Sequence, residues 1–289
     1  MPSRRPGLFI AFALAWVLPA AAALVAAEPA RVLRDVAYKP AAESDDEPER
    51  CRLDLYLPAA GKSFPTLVWF HGGGLTGGDK AAGYAPALGR RFAGEGIAMA
   101  SVNYRLSPRV KYPAYVDDGA AAVAFVRGEI AKHGGAAERV FVAGHSAGGY
   151  LTAMIGLDSR YLAKYQLQPS DLAGLIPVSG QMVTHSTVRA ERGIPKTRPL
   201  IDEAAPAFHV RADSPPWLVF AGSEDLPTRA EENRYFVAAL KAAGHKNATY
   251  LEIAGRDHGT IASQLPERDD AVAKRILEFI RQEGGDYGK

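Results

Sequence analysis

Between residues 139 and 155 the chain runs from Arg139-Val140-Phe141-Val142-Ala143 through Gly144-His145-Ser146-Ala147-Gly148 into Gly149-Tyr150-Leu151-Thr152-Ala153-Met154-Ile155. A β-branched apolar run, a glycine-bounded turn and a helical pattern follow one another with no linker. A strand that turns this sharply into a helix cannot pair with its own successor. Such a strand suits a mostly parallel sheet whose faces are covered by helices. The turn also lifts the Ser146 hydroxyl clear of the backbone, beside a helix N-terminus with unpaired N–H groups. Gly144 and Gly148 are expected where a side chain would collide with the neighbouring strand and helix.

The rest of the chain repeats the alternation. Val32–Tyr38 reads as a first strand, followed by an acidic, solvated hairpin loop from Glu43 to Glu49. Leu53–Leu57 alternates at period two and stops at Pro58, the pattern of an edge strand. The continuous apolar run 65–70 reads as a buried parallel strand. Further strands are expected at 97–103, 140–143, 172–179, 217–221 and 248–253. Helices are expected at 85–94, 115–132, 229–243 and 269–282, the second of them amphipathic with Asp117 and Asp118 in its first turn. The segment 180–215 has no clean period and contains Pro195, Pro199 and Pro206. It reads as a lid or pocket wall inserted into the sheet framework. The fold class is thus α/β, a mostly parallel central sheet with helices on both faces and no large cap.

The N-terminus reads differently. Arg4-Arg5, an apolar run from Leu8 to Leu18, Pro19 and the small residues ending Val25-Ala26-Ala27 form the pattern of a cleaved export signal, with a cut after Ala27. One domain would then occupy 28–289. Without Arg4 and Arg5 the basic residues equal the 32 acidic ones, so no charge excess points to a nucleic-acid or anionic-membrane partner. Cys51 is the sole cysteine, which excludes an internal disulfide and favours a buried strand position.

A serine nucleophile needs a base, and the base needs an orienting acid. His258, in Gly255-Arg256-Asp257-His258-Gly259, follows the strand at 248–253. Asp225 ends Gly222-Ser223-Glu224-Asp225 after the strand at 217–221. Both positions lie past carboxyl ends of strands, where parallel sheets build sites. Glu224 and Asp257 are the alternative acids, but one points away from its neighbour and the other adjoins the base too closely. The order Ser146, Asp225, His258 is that of an α/β-hydrolase. His71-Gly72-Gly73-Gly74 follows the strand at 65–70 and offers the amides of Gly73 and Gly74, with that of Ala147, to an oxyanion. Gly72 to Gly77 also satisfies G-x-G-x-x-G, but Asn103-Tyr104-Arg105 supplies no acidic partner for a dinucleotide. His145 is expected to pack on the elbow and His71 to brace the glycine loop. His133, His209 and His245 lie in polar, surface-like contexts. No histidine pair has metal-ligand spacing, and no cofactor is expected. Leu75, Thr76, Tyr84 and His185 are candidate substrate-pocket residues.

These residues, together with Gly78-Asp79-Lys80, Asn103-Tyr104-Arg105-Leu106 and Tyr112-Pro113, resemble the α/β-hydrolase esterases related to the hormone-sensitive-lipase family. The resemblance is closest to their compact bacterial carbohydrate-esterase and feruloyl-esterase-like branch. It implies a serine carboxylesterase acting on small acyl esters, with acylated carbohydrates or phenolic esters as substrates. His145 stands where the typical hormone-sensitive-lipase relative has Asp, and the chain before His71 is too short for that family's cap. His145 is shared with kynurenine formamidases, so an amidase or exopeptidase on the same scaffold is the alternative. A catalytically silent binding protein would usually lack a triad member, and none is missing here.

Overall fold

The computed structural model describes Met1, residues 31–40 and residues 48–284. The apolar run of the N-terminal signal pattern and the acidic residues from Glu43 to Glu47 lie outside them. The described residues form one eight-stranded sheet in the order β1-β2-β4-β3-β5-β6-β7-β8. The strands are β1 (Arg31–Ala37), β2 (Arg52–Leu57), β3 (Phe64–Phe70), β4 (Ala98–Val102), β5 (Gly135–His145), β6 (Gly174–Val178), β7 (Trp217–Glu224) and β8 (Ala248–Asp257). β1 pairs antiparallel with β2, and β2 with β4; all other pairs are parallel. The fold is that of an α/β-hydrolase.

The period-two alternation of the inner strands explains the two cores. Val68, Phe70, Val140, Val142, Trp217 and Val219 face one side, where they pack with α2 (Ala114–Glu129), α3 (Ala147–Leu157) and α6 (Arg229–Ala242). Leu67, Trp69, Phe141, Ala143, Leu218 and Phe220 face the other, against α1 (Ala85–Gly94) and α8 (Ala271–Glu283). Each buried Val, Leu or Phe among them contributes about 1.5–3 kcal/mol. The remaining helices, α4 (Ser159–Ala163), α5 (Ser186–Glu191) and α7 (Thr260–Ser263), are short.

Three expectations change. The strand at 53–57 is not an edge: β1 covers it, and all five of its residues are buried. Pro58 ends the strand rather than marking an edge. The helix after Tyr112-Pro113 is not amphipathic, because it packs on the sheet beside α3 and buries Tyr115, Val116, Asp118 and the run 119–123. Asp118 therefore serves as a buried anion, bonded to Lys39 Nζ at 2.7 Å and to Arg105 Nε and Nη2, each at 2.9 Å. His245 is buried rather than superficial; its Nε2 faces the Ser214 and Pro215 carbonyls. Cys51 is buried as expected, one residue before β2. Among the described residues no helix is long and apolar enough to cross a membrane.

Candidate active site

The parallel strands β3, β5, β6, β7 and β8 end on one edge of the sheet, and each delivers a short turn there. β5 delivers Ser146, whose backbone is held at φ 57° and ψ −114°. Such a conformation costs a non-glycine residue about 1–3 kcal/mol and persists only where its surroundings enforce it. They do so by contact. A Cβ at Gly148 would lie 2.0 Å from the Phe70 carbonyl oxygen of β3, and one at Gly144 would lie 2.5 Å from the Gly148 backbone. Ser146 N–H donates to the Val178 carbonyl at 2.9 Å, which ties the turn to β6 as well.

β8 runs to Asp257, so His258 emerges directly at the edge. Its Nε2 lies 2.9 Å from Ser146 Oγ and its Nδ1 lies 2.7 Å from Asp225 Oδ1. A neutral imidazole carries its proton on the nitrogen that faces the carboxylate, which leaves Nε2 to accept from the hydroxyl. Asp257 does not orient this ring. Its Oδ1 takes the N–H groups of Gly259 and Thr260 at 2.9 and 2.7 Å and so shapes the turn that carries it. Glu224 is exposed.

Asp225 is enclosed by donors. Oδ1 takes the Leu226 N–H at 2.7 Å as well as His258, and Oδ2 takes the Ser179 hydroxyl at 2.5 Å and the Gly222 N–H at 3.2 Å. Burial alone would raise its pKa, but the hydrogen bonds from His258 and Ser179 and the His258 charge hold it at about 2. The carboxylate therefore stays ionised wherever the imidazole can work.

The glycine loop after β3 is braced by residues far apart in the chain. Gly73 has φ 115°, and a Cβ there would meet the Gly77 carbonyl at 2.2 Å. The Gly73 carbonyl accepts from Thr76 N, Gly77 N and Thr76 Oγ1, and the Gly74 carbonyl accepts from Thr187 Oγ1 at 2.5 Å. With those carbonyls engaged, the N–H groups of Gly73, Gly74 and Ala147 have no hydrogen-bond acceptor among the described residues. His71 is buried, stacks on Tyr104 at 4.4 Å, faces the Gly72 carbonyl through Nδ1 and faces Arg50 through Nε2. Burial, with the nearby Arg50 charge, lowers its pKa to about 4, so it is a neutral brace. Asn103 accepts from Lys80 N and donates to Asp79, which closes the loop from below. The sequence motifs around 78–80 and 103–106 are thus loop supports.

His145 packs on the elbow as expected, and it also reaches across to His258. Its Nε2 donates to the His258 carbonyl at 2.7 Å, with the two rings 4.8 Å apart. Burial and then the neighbouring His258 push its pKa down to about 3, which keeps it an uncharged donor.

The predicted pocket residues divide. Tyr84 is half-buried and borders a cleft of about 280 Å³ with His71, Gly73 and His145. Thr76 is exposed beside Gly73. Leu75 is fully buried in the core below the loop and offers a ligand no surface. His185 is also buried: its Nδ1 caps α5 by accepting the Thr187 N–H at 3.1 Å. Burial and the charges of Arg229, Arg189 and Lys196 bring its pKa to about 3. Its direct part is in fixing the segment whose Thr187 holds Gly74. That segment is fastened to the body through Tyr112 Oη on the Glu203 carbonyl at 3.0 Å and Tyr150 Oη on the Ala204 carbonyl at 2.9 Å. Ser179, Arg50 and Asn103 were not among the predicted site residues. Only the position of Ser179 at the end of a predicted strand could have suggested it.

The chain is similar to known proteins in sequence and in fold. Esterase LipC of Mycobacterium tuberculosis is 31% identical over 217 residues, which cover 68% of this chain and 53% of LipC. The chain spans little more than half the length of the first curated relatives it matches. Among solved structures, a truncated carbohydrate esterase from gut microbiota superposes with a TM-score of 0.72 at 20% identity, covering 90% of this chain and 98% of its own. Esterase 2 of Thermogutta terrifontis, phosphoramylated by tabun, gives 0.66 at 26% identity and covers 87% and 92%. The BD-FAE family model matches residues 53–240, from β2 through Ser146 and Asp225 into α6. The chain belongs to the BD-FAE family.

Proposed function

We propose that the protein is a carboxylic ester hydrolase that works through Ser146, His258 and Asp225 by way of an acyl-enzyme. The observation that carries this reading is the unbroken line of hydrogen bonds from Asp225 through His258 to Ser146, beside three backbone N–H groups that have no acceptor among the described residues. Ser146 Oγ attacks the ester carbonyl carbon while His258 Nε2 takes its proton. The carbonyl oxygen becomes an oxyanion and accepts from the amides of Gly73, Gly74 and Ala147, each worth about 3–4 kcal/mol to the barrier. The imidazolium, stabilised by Asp225, passes the proton to the departing alkoxide. Water then attacks the acyl-serine with His258 again as base, the bond from the acyl carbon to Ser146 Oγ breaks, and the imidazolium returns its proton to Oγ as the acid leaves. No cofactor takes part.

Short acyl groups on a carbohydrate or phenolic alcohol are the proposed substrates, supported by the family match and by the carbohydrate esterase among the structural neighbours. Residues 180–215, held to the body through tyrosines, are proposed as a fixed wall of the pocket. An ester is favoured over an amide because the curated relatives carry esterase names. Incubation with a fluorophosphonate should add one label per chain at Ser146, located by peptide mass spectrometry, and p-nitrophenyl acetate should be turned over. Label elsewhere, or activity confined to formamides and anilides, would overturn the reading.

The chain is also proposed to be exported, on the N-terminal pattern read above. Expression with the full N-terminus should yield a mature mass beginning at Glu28. An intact chain in the cytoplasm would contradict this.

A further inference from the structure

We infer that Ser179 is a positioning residue for the acid of the site: its hydroxyl, fixed by a three-point grip of α6 on residues 179–182, sets the orientation of Asp225 and thereby of His258. The inference rests on the proposed roles of Asp225 and His258. Ser179 follows β6 and is fully buried, with φ 51°. A non-glycine residue there is strained, and nothing in an ordinary strand end requires it. All its polar groups are engaged. Its N–H donates to the Phe220 carbonyl of β7 at 2.8 Å, and its hydroxyl donates to Asp225 Oδ2 at 2.5 Å. Its carbonyl takes Arg229 Nη1 at 2.5 Å.

The next residues are held by the same helix face. Asn233 Nδ2 donates to the Gly180 carbonyl at 2.8 Å, and Glu232 Oε2 takes the Met182 N–H at 3.2 Å. Residues 229, 232 and 233 lie at helical spacings of three and four, so one face of α6 clamps one stretch of main chain. Arg229 is a buried cation, costly to place, and it lies beside the acid that orients the base. The arrangement does two things for Asp225. It supplies one of four donors to the carboxylate, and it fixes the oxygen not used by His258, which sets the plane of the group against the imidazole. Among the described residues Ser179 has no hydrogen bond to Ser146 or to the proposed oxyanion amides.

Ser179→Gly is the decisive variant, because glycine accepts positive φ freely, so the loss of the hydroxymethyl group is accompanied by relief of the strain. The thermal midpoint should hold or rise. With p-nitrophenyl acetate, kcat should fall about tenfold while KM stays within about twofold, as expected for a lost hydrogen bond to a charged group that meets no substrate. In proton NMR the low-field Nδ1–H resonance of His258 should move from its wild-type position. Ser179→Ala should lower kcat to the same degree with a lower thermal midpoint. An unchanged kcat and resonance in Ser179→Gly would overturn the inference, as would a loss of activity that only tracks a loss of folded protein. Should the wild-type protein prove inert toward esters, the proposed function would fall, while the His258 resonance would still report on Ser179.

Discussion

Replacing Ser146 with alanine is expected to lower kcat/KM for short p-nitrophenyl esters by about 10⁵-fold, the scale on which loss of a nucleophile acts in a serine hydrolase. The fold should survive the change. The elbow is enforced from outside Ser146, by the approach of Gly148 to the Phe70 carbonyl and by the Val178 carbonyl on the residue-146 N–H. Alanine keeps that N–H and a Cβ of the same size, so the strain at φ 57° is nearly unchanged. His258 loses an acceptor contact only on Nε2, and its side chain is 22% exposed, so water can replace the hydroxyl. The proposed oxyanion amides belong to the main chain and remain. Residual turnover should therefore come from those amides and from water activated by His258, with KM close to that of the wild type. A variant with matching circular dichroism and thermal midpoint but less than a tenfold loss would show that the nucleophile lies elsewhere.

How much of this was legible in the sequence follows from the range of the forces involved. The elbow, the glycine loop and the order of Ser146, Asp225 and His258 are local patterns: periodicity, tight turns and strand ends. All three side chains meet where strand ends imply. The edge reading at 53–57 failed because alternation reports what a strand buries, not which strand pairs beside it, and β1 supplied the cover. The amphipathic reading of α2 failed for a related reason. Asp118 looked like a dipole-compensating surface residue, yet its partners Lys39 and Arg105 come from other parts of the chain. His185 and Leu75 had the right neighbourhood and the wrong orientation, which depends on packing rather than spacing. The second reach of His145, to the His258 carbonyl, joins residues 113 apart and leaves no trace in either local pattern. Ser179 was missed because a hydroxyl at a strand end looks like a turn former until its φ and its partner are known.

Asp225→Asn is expected to lower kcat by about 10⁴-fold, with the protein still folded, because an amide turns one of the two accepting oxygens into a donor. The carboxylate now accepts on both oxygens: from His258 and Leu226 on Oδ1, and from Ser179 and Gly222 on Oδ2. An asparagine offers one accepting oxygen, so its NH₂ group must face one of these pairs. Facing Ser179 and Gly222, it would oppose two donors, of which only the hydroxyl can turn to accept, and the Gly222 N–H would be left unpaired at a cost of about 1–3 kcal/mol. Facing His258, it would donate to Nδ1 and drive the proton to Nε2. His258 would then present a donor to Ser146 instead of a base. The second arrangement keeps the Ser179 and Gly222 bonds and opposes only the Leu226 N–H, so the variant should settle into the wrong tautomer. Two readouts follow together. The low-field Nδ1–H resonance should vanish, and the remaining activity should climb with pH as hydroxide takes over from the lost base. Retention of that resonance with kcat within about tenfold of wild type would mean that another carboxylate orients His258. Asp257 would be next to examine, since it lies beside the ring in sequence and already holds the turn.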